Sequence, residues 1–186
     1  MIKRIALSTV LAGFLLNVGV QASSDYNIAK GLAPVAKGQS ISTLKEFKGD
    51  FRILGSKTYQ TDKQAKFSPI DYAVSWGLFA EPEIARTISV NQYDRFLNWK
   101  MDRVPVPQKQ AMMMVSNMHI IPANPQIAKQ ITQVKRGDLV RLKGDLVEVK
   151  DKDLVWTSSL TPTDTGDGAC EVFRVSSIQW IEKVKG

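Results

Sequence analysis

Cysteine and histidine are almost missing from this chain: Cys170 and His119 are each the only one of its kind among 186 residues. A single thiol cannot crosslink the chain to itself, so stability has to come from packing. A single imidazole excludes centres built from several histidines. Zinc-type ligand spacings, glycine-rich phosphate loops and the GxSxG nucleophile turn are absent too. Beyond the first twenty residues no apolar run is long enough to span a bilayer. Dense cationic blocks are also lacking. Pairs such as Lys45 and Lys48 or Lys135 and Arg136 are scattered, which describes a solvated surface rather than a nucleic-acid arm.

What is present begins with a short basic opening, Lys3 and Arg4, followed by the uncharged run IALSTVLAGFLLNVGV over residues 5 to 20. Val20 and Ala22 then supply the small-residue pattern of a signal-peptidase site. Residues 1–22 therefore read as a signal peptide, and the protein as periplasmic or secreted. Cleavage lowers the net charge of +7 by two, the cations Lys3 and Arg4, to +5, and leaves no transmembrane segment. The remaining roughly 160 residues suit one domain. Four Trp, seven Phe and four Tyr supply its large apolar surfaces.

Residues 23–46 are rich in Ser, Gly, Ala and Lys without a sustained period and read as a flexible lead-in to a single domain over 47–186. DFRILGSKTYQ, residues 50–60, reads as a first strand. Ser68, Pro69 and Asp71 resemble a helix start, and Ile70, Ala73, Val74 and Leu78 recur at helical spacing, so the pattern predicts a helix over 68–79. Leu97, Trp99 and Met101 alternate with Asn98 and Lys100 as in a half-buried strand. A short helix after Pro107, a strand in NMHIIP and a second helix capped by Asn124 and Pro125 follow. The last third reads as all β: a bulged long strand or hairpin over 136–149, then DLVWTSSL and EVFRVSSIQWI. The sum is an α+β fold, a small strongly bent β-sheet or partly open barrel of OB or SH3 type, with two or three covering helices.

Several residue groups permit chemistry. Thiol catalysis would have to use Cys170 as nucleophile and His119 as base, with Asp164 orienting the ring, in a hydrolase or transferase. The same neighbourhood, DTGDGACE, also suits an Asp and Gly turn with Cys170 packed at its exit. Its DTG lacks the second copy and apolar setting of an aspartic protease, and the EF-hand spacing is missing. Met112, Met113, Met114 and Met118 beside His119 are soft ligands in type, yet regular structure would split them across faces. No metal site and no cofactor is expected. YDRFLNWK interleaves cations and aromatics, so Tyr93, Arg95, Phe96 and Trp99 form a candidate binding platform for single-stranded nucleic acid or glycan. Export disfavours nucleic acid.

At SNMHIIPAN (116–124), GDLVRLKGDLVEV (137–149) and SSLTPTDTGDGACE (158–171) the chain resembles a family of uncharacterised exported bacterial proteins, over roughly the region after Phe51. The resemblance implies an exported single-domain layout and no catalytic residue. Thr161 and Pro162 stand where the family has Thr and Arg after its SerSerLeu run. The sequence favours a non-enzymatic envelope module that binds another envelope protein or a glycan through a strand edge or aromatic groove, with peripheral membrane contact open to its basic surface.

Overall fold

In the computed structural model, which describes residues 37–161 and 170–185, strands dominate. The expected signal peptide, the first part of the lead-in and Asp164 lie outside the described residues. Among the described residues, in chain order, come β1 (Ser40–Thr58), β2 (Ile70–Ser75), a 3₁₀ turn (Gly77–Ala80), α1 (Pro82–Ala85), β3 (Ser89–Tyr93), β4 (Phe96–Lys100) and α2 (Gln108–Met112). Then follow β5 (Val115–Pro122), α3 (Pro125–Ile131), β6 (Leu139–Asp151), β7 (Leu154–Thr157) and β8 (Glu171–Glu182).

β1 is long enough to serve two partners. Its residues 40–52 pair antiparallel with β6, and residues 52–58 pair antiparallel with β2. β2 continues antiparallel to β5, β5 parallel to β8, and β8 antiparallel to β6, which returns to β1. The sheet thus nearly closes a ring, with β7 added as a sixth strand beside the end of β6. β3 and β4 form a separate hairpin. Closing so few strands demands sharp bends, and bulges supply them. One falls between Lys143 and Gly144 of β6, where a Cβ on Gly144 would sit 2.0 Å from the Arg174 carbonyl oxygen, so glycine alone lets β8 approach.

Inward positions of all five ring strands meet in one core: Phe51, Ile53, Tyr72, Val74, Met118, Ile120, Leu142 and Phe173 are among them. Ile127 and Ile131 of α3 join it, and the Tyr72 hydroxyl donates to the Ile131 carbonyl, fixing that helix over one end of the ring. Asn124 caps α3 by accepting from the Ile127 amide at 2.9 Å, as its Asn and Pro start predicts. Two smaller clusters lie outside the ring. One packs Leu54, Ala73, Phe79 and Ile88 under the hairpin residues Leu97 and Trp99; the other packs Phe67, Ile121, Val147 and Val172 beneath Trp156.

Two expectations are corrected. Residues 68–79 are not a helix: β2 and the 3₁₀ turn occupy them. Every residue of β2 is buried, because the ring core covers one face and the outer clusters the other, so the strand shows no alternation and its apolar positions imitate helical spacing. Residues 40–46, expected within the flexible lead-in, form the first part of β1 and pair with residues 145–150 of β6. The expected small, strongly bent sheet with two or three helices is found as a mostly-β fold, a six-strand sheet that nearly closes a ring, with a small hairpin and, among the described residues, three helices of four to seven residues.

Candidate functional site

β5 carries the clearest division of labour. Ser116, Met118 and Ile120 point into the ring, whereas Asn117, His119 and Ile121 point out. Each face leads to one candidate site.

On the outer face a polar cluster lies beneath the β3–β4 hairpin. The two-residue turn of that hairpin, Asp94 and Arg95, has φ values of 45° and 71°, the signs a type I′ turn requires and Asn-Gly usually provides. The turn aims the Arg95 side chain, 9% exposed as a residue, into the wall of the ring. Its Nη2 donates to both carboxylate oxygens of Asp62 at 2.9 and 3.0 Å, and its Nη1 donates to Asp71 Oδ1 at 2.8 Å. The guanidinium lies 3.8 Å from the centre of the Tyr59 ring. Asn117 Nδ2 donates to the Arg95 carbonyl at 3.0 Å and to Asp71 Oδ2 at 3.3 Å, and its Oδ1 accepts from Gln92 at 2.8 Å. Asp71, wholly buried, is thus held by a cation and an amide, which is what a buried carboxylate needs.

His119 belongs to this cluster. Its Nδ1 lies 3.0 Å from Asp71 Oδ1 without forming a hydrogen bond to it, and the nitrogen has no hydrogen-bond partner among the described residues. The ring packs against Trp156 at 4.7 Å between centroids. Cys170 enters from the neighbouring strand: Met118 pairs with Glu171, so one step back Cys170 stands beside Asn117, on the face that also carries His119. The Cys170 thiol is half-buried. Burial first, then the negative charges of Glu171 and Asp71, push its pKa up to about 12. At neutral pH it is a thiol and not a thiolate. The structure brings Cys170 and His119 to one face without a hydrogen bond between them, and Asp71 stands next to the imidazole. Asp71 is the residue sequence reading missed, because it was assigned to the first turn of a helix.

The platform residues divide. Tyr93 and Phe96 are 42% and 46% exposed and lie 6.4 Å apart at the hairpin end. Arg95 is committed to Asp62 and Asp71, and Trp99 packs edge-on against Phe79. The methionines also diverge: Met118 fills the ring, Met114 joins an outer cluster and Met112 is exposed. Among the described residues no group of three His, Cys, Asp or Glu side chains is placed to hold a metal ion.

On the inner face, a cavity of about 300 Å³ opens where β5 and β8 begin, at the end of the ring opposite α3. Phe47, Phe51, Trp76, Met118 and Leu146 wall it, and Ser159, Leu160 and Thr161 border it. Phe47 and Phe51 flank Gly49, and the Phe51 ring folds over that glycine so closely that a Cβ there would lie 2.4 Å from it. Trp76 meets Phe51 edge to face at 6.1 Å. Glu171, 7% exposed, shares the inward face of β8 with Phe173 and Val175, and its carboxylate accepts from the Ser116 hydroxyl. Lys48 and Asp50 also border the cavity, but they occupy the outward positions of β1, where Arg141 engages Asp50 at 2.6 and 2.7 Å.

A mostly-β ring, covered at one end by a helix and, among the described residues, holding an aromatic cavity at the other, is the class that fold and site define. The chain matches no protein-family model, no curated protein and no solved structure.

Proposed function

We propose that this chain is an exported, non-catalytic binding module of the cell envelope, and that its ligand or partner engages the aromatic cavity at the open end of the ring. The basic opening, apolar run and VQA sequence of residues 1–22 support export, as does the resemblance of its SNMHIIPAN and DTGDGACE stretches to exported proteins. The single observation that carries the reading is the cavity itself: concave, about 300 Å³, apolar, and fitted with few polar groups, the usual form of a ligand site.

The ring order β1-β2-β5-β8-β6, with one parallel pair and α3 lying between β5 and β6, supports an OB-type assignment within the mostly-β class. OB barrels bind oligonucleotides and oligosaccharides on the outer face of their second and third strands. Here those are β2 and β5, and their outer face is already filled by Arg95, Asp62 and Trp156. Among the described residues, the aromatic cavity on the inner face is a concave surface that those side chains leave unfilled.

A screen of small ligands with apolar stems, read by two-dimensional NMR, tests this. Shifts concentrated at the Trp76 indole and the Met118 and Leu160 methyls are expected. A complete lack of response there, with shifts at Tyr93 and Phe96 on adding an oligosaccharide, would transfer the function to the hairpin end.

A second reading, a thiol-dependent hydrolase or transferase, draws on Cys170 and His119 sharing a face and on Asp71 standing 3.0 Å from the imidazole. Burial of His119 behind Trp156 and the raised pKa of Cys170 oppose it. Hydrolytic turnover of an ester that is abolished by Cys170→Ala would establish it over the binding reading.

A further inference from the structure

A groove of about 440 Å³ runs between β4 and α2, and its near side is lined by every residue from 97 to 101. Successive strand residues face opposite ways, so a groove that touches all of them lies along the edge of the strand rather than on a face. The hairpin register identifies the backbone groups on that edge. Its two-residue turn closes on a hydrogen-bonded pair, Tyr93 with Phe96, and such pairs recur at every second position, Asn91 with Asn98 and Ser89 with Lys100. The N–H and C=O groups of Leu97 and Trp99 therefore point away from β3, and among the described residues no other strand pairs with β4. The opposite edge of the hairpin is guarded, because the Lys57 ammonium donates to the Gln92 carbonyl there. Among the described residues β4 carries no such guard.

An extended chain can add to this edge as a third strand, and its side chains would then alternate between two settings. One set lies on the face of Leu97 and Trp99, against Val104 and Met112 of the far wall, which are 41% and 48% exposed; apolar residues suit it. The other set shares the outer face with Asn98 and Lys100, both exposed. Charge selects what stands there. Residues 97–112 carry Lys100, Arg103 and Lys109 against one acid, Asp102, and none of these cations joins an ion pair among the described residues. The excess of positive charge favours an acidic partner. It opposes a second copy of this chain, whose β4 would bring the same cations and an α2 wall of its own. We infer that the β4 edge docks an extended segment of a partner protein in which apolar and acidic residues alternate. This surface shares no residue with the aromatic cavity and stands independently of it.

The experiment adds acetylated and amidated Glu-Val-Glu-Val-Glu-Val to the full mature chain at low ionic strength and follows its backbone amide resonances. Shifts centred on the Leu97 and Trp99 amides are expected, with binding roughly tenfold tighter than that of Lys-Val-Lys-Val-Lys-Val. A strand uses only alternate amides, so N-methylating the valines or N-methylating the glutamates should cost roughly tenfold in affinity in one case and little in the other. Lys100→Glu, a change at an exposed position, should reduce the preference for the acidic peptide by roughly threefold or more. Equal affinities of the two methylated peptides would overturn strand addition, and equal binding of the acidic and basic peptides would overturn the acidic partner. Shifts at Leu97 and Trp99 that grow with protein concentration in the absence of peptide would give the edge to a second copy and overturn the inference. So would a response at Trp76 without one at Leu97 and Trp99, an outcome that leaves the cavity a binding site.

Discussion

Arg95 concentrates more interactions than any other side chain near the hairpin. It occupies a left-handed backbone position that disfavours side chains, and its guanidinium joins Asp62 from the β1–β2 loop to Asp71 of β2. Removing it leaves Asp71 buried with no cation, the circumstance in which breaking an ion pair is most costly. Arg95→Ala should therefore destabilise the fold by about 3–5 kcal/mol, measured by urea unfolding. Asp71→Asn on that background should recover part of the loss, because the orphaned charge is gone. Cys170 gives a prediction of reactivity. With its pKa near 12, very little thiolate exists near neutral pH, and the greater nucleophilicity of a more basic thiolate offsets only part of that. Iodoacetamide should alkylate it roughly a hundredfold more slowly than an unhindered cysteine at pH 7.5, with the rate still rising above pH 9. The same shift acts on stability with a definite sign. The unfolded thiol ionises at about 8.5 while the folded one keeps its proton, so stability falls as pH rises from there towards about 12. Cys170→Ala should flatten that alkaline decline in a denaturation series.

At the scale of elements, glycine and asparagine mark where the chain tolerates least change. Gly144→Ala would drive a Cβ into the Arg174 carbonyl and break the bulge that seats β8 against β6, an overpacking cost of about 3 kcal/mol. Asn124→Ala removes one amide acceptor at the start of α3 and should cost about 1 kcal/mol. Both are checked by thermal and chemical unfolding. The contrast in legibility between elements has a physical origin. β4 was readable because Phe96, Asn98 and Lys100 face water while Leu97 and Trp99 face a core, so its period of two survives in the sequence. α3 was readable because its cap lies within four residues. β2 was not, since both its faces are buried, and a strand without a wet side carries no alternation. The β3–β4 turn escaped notice because Asp94 and Arg95 stand where Asn-Gly normally signals the geometry; what holds them there is Asp62 and Asp71, residues distant in sequence. The cavity was legible only as a wealth of aromatics. That Phe47, Phe51, Trp76 and Glu171 converge depends on the strand order, which no local pattern records.

For the whole molecule, the decisive contact is the closure of the ring by β1 and β6. Phe51 pairs with Val140 and Ser40 with Lys150, so the seam joins chain segments about a hundred residues apart and must form after much of the chain has been confined. Residues 40–46 contribute half of that seam, although their composition resembles a linker, because a ladder paired through its backbone places little demand on side chains that face solvent. The consequence is a sharp truncation boundary. A chain beginning at Gln39 keeps the whole of β1 and serves as the reference. One beginning at Phe47 loses the pairs from Ser40–Lys150 to Glu46–Asp145, exposes the free edge of β6, and removes Ile41 from the cluster beneath Trp156. With each lost hydrogen bond worth about 1 kcal/mol net and partly offset by regained chain entropy, the second truncation should be less stable by about 2–4 kcal/mol. That corresponds to a fall of roughly 5–15 °C in Tm, and calorimetry on the two chains decides it. Equal Tm values would mean that the first half of β1 is an appendage and that the ring is held by β8 and β6 alone. A lower Tm for the chain starting at Phe47 places the seam, and the aromatic wall that begins at Phe47, under the control of seven residues whose side chains carry almost none of the core.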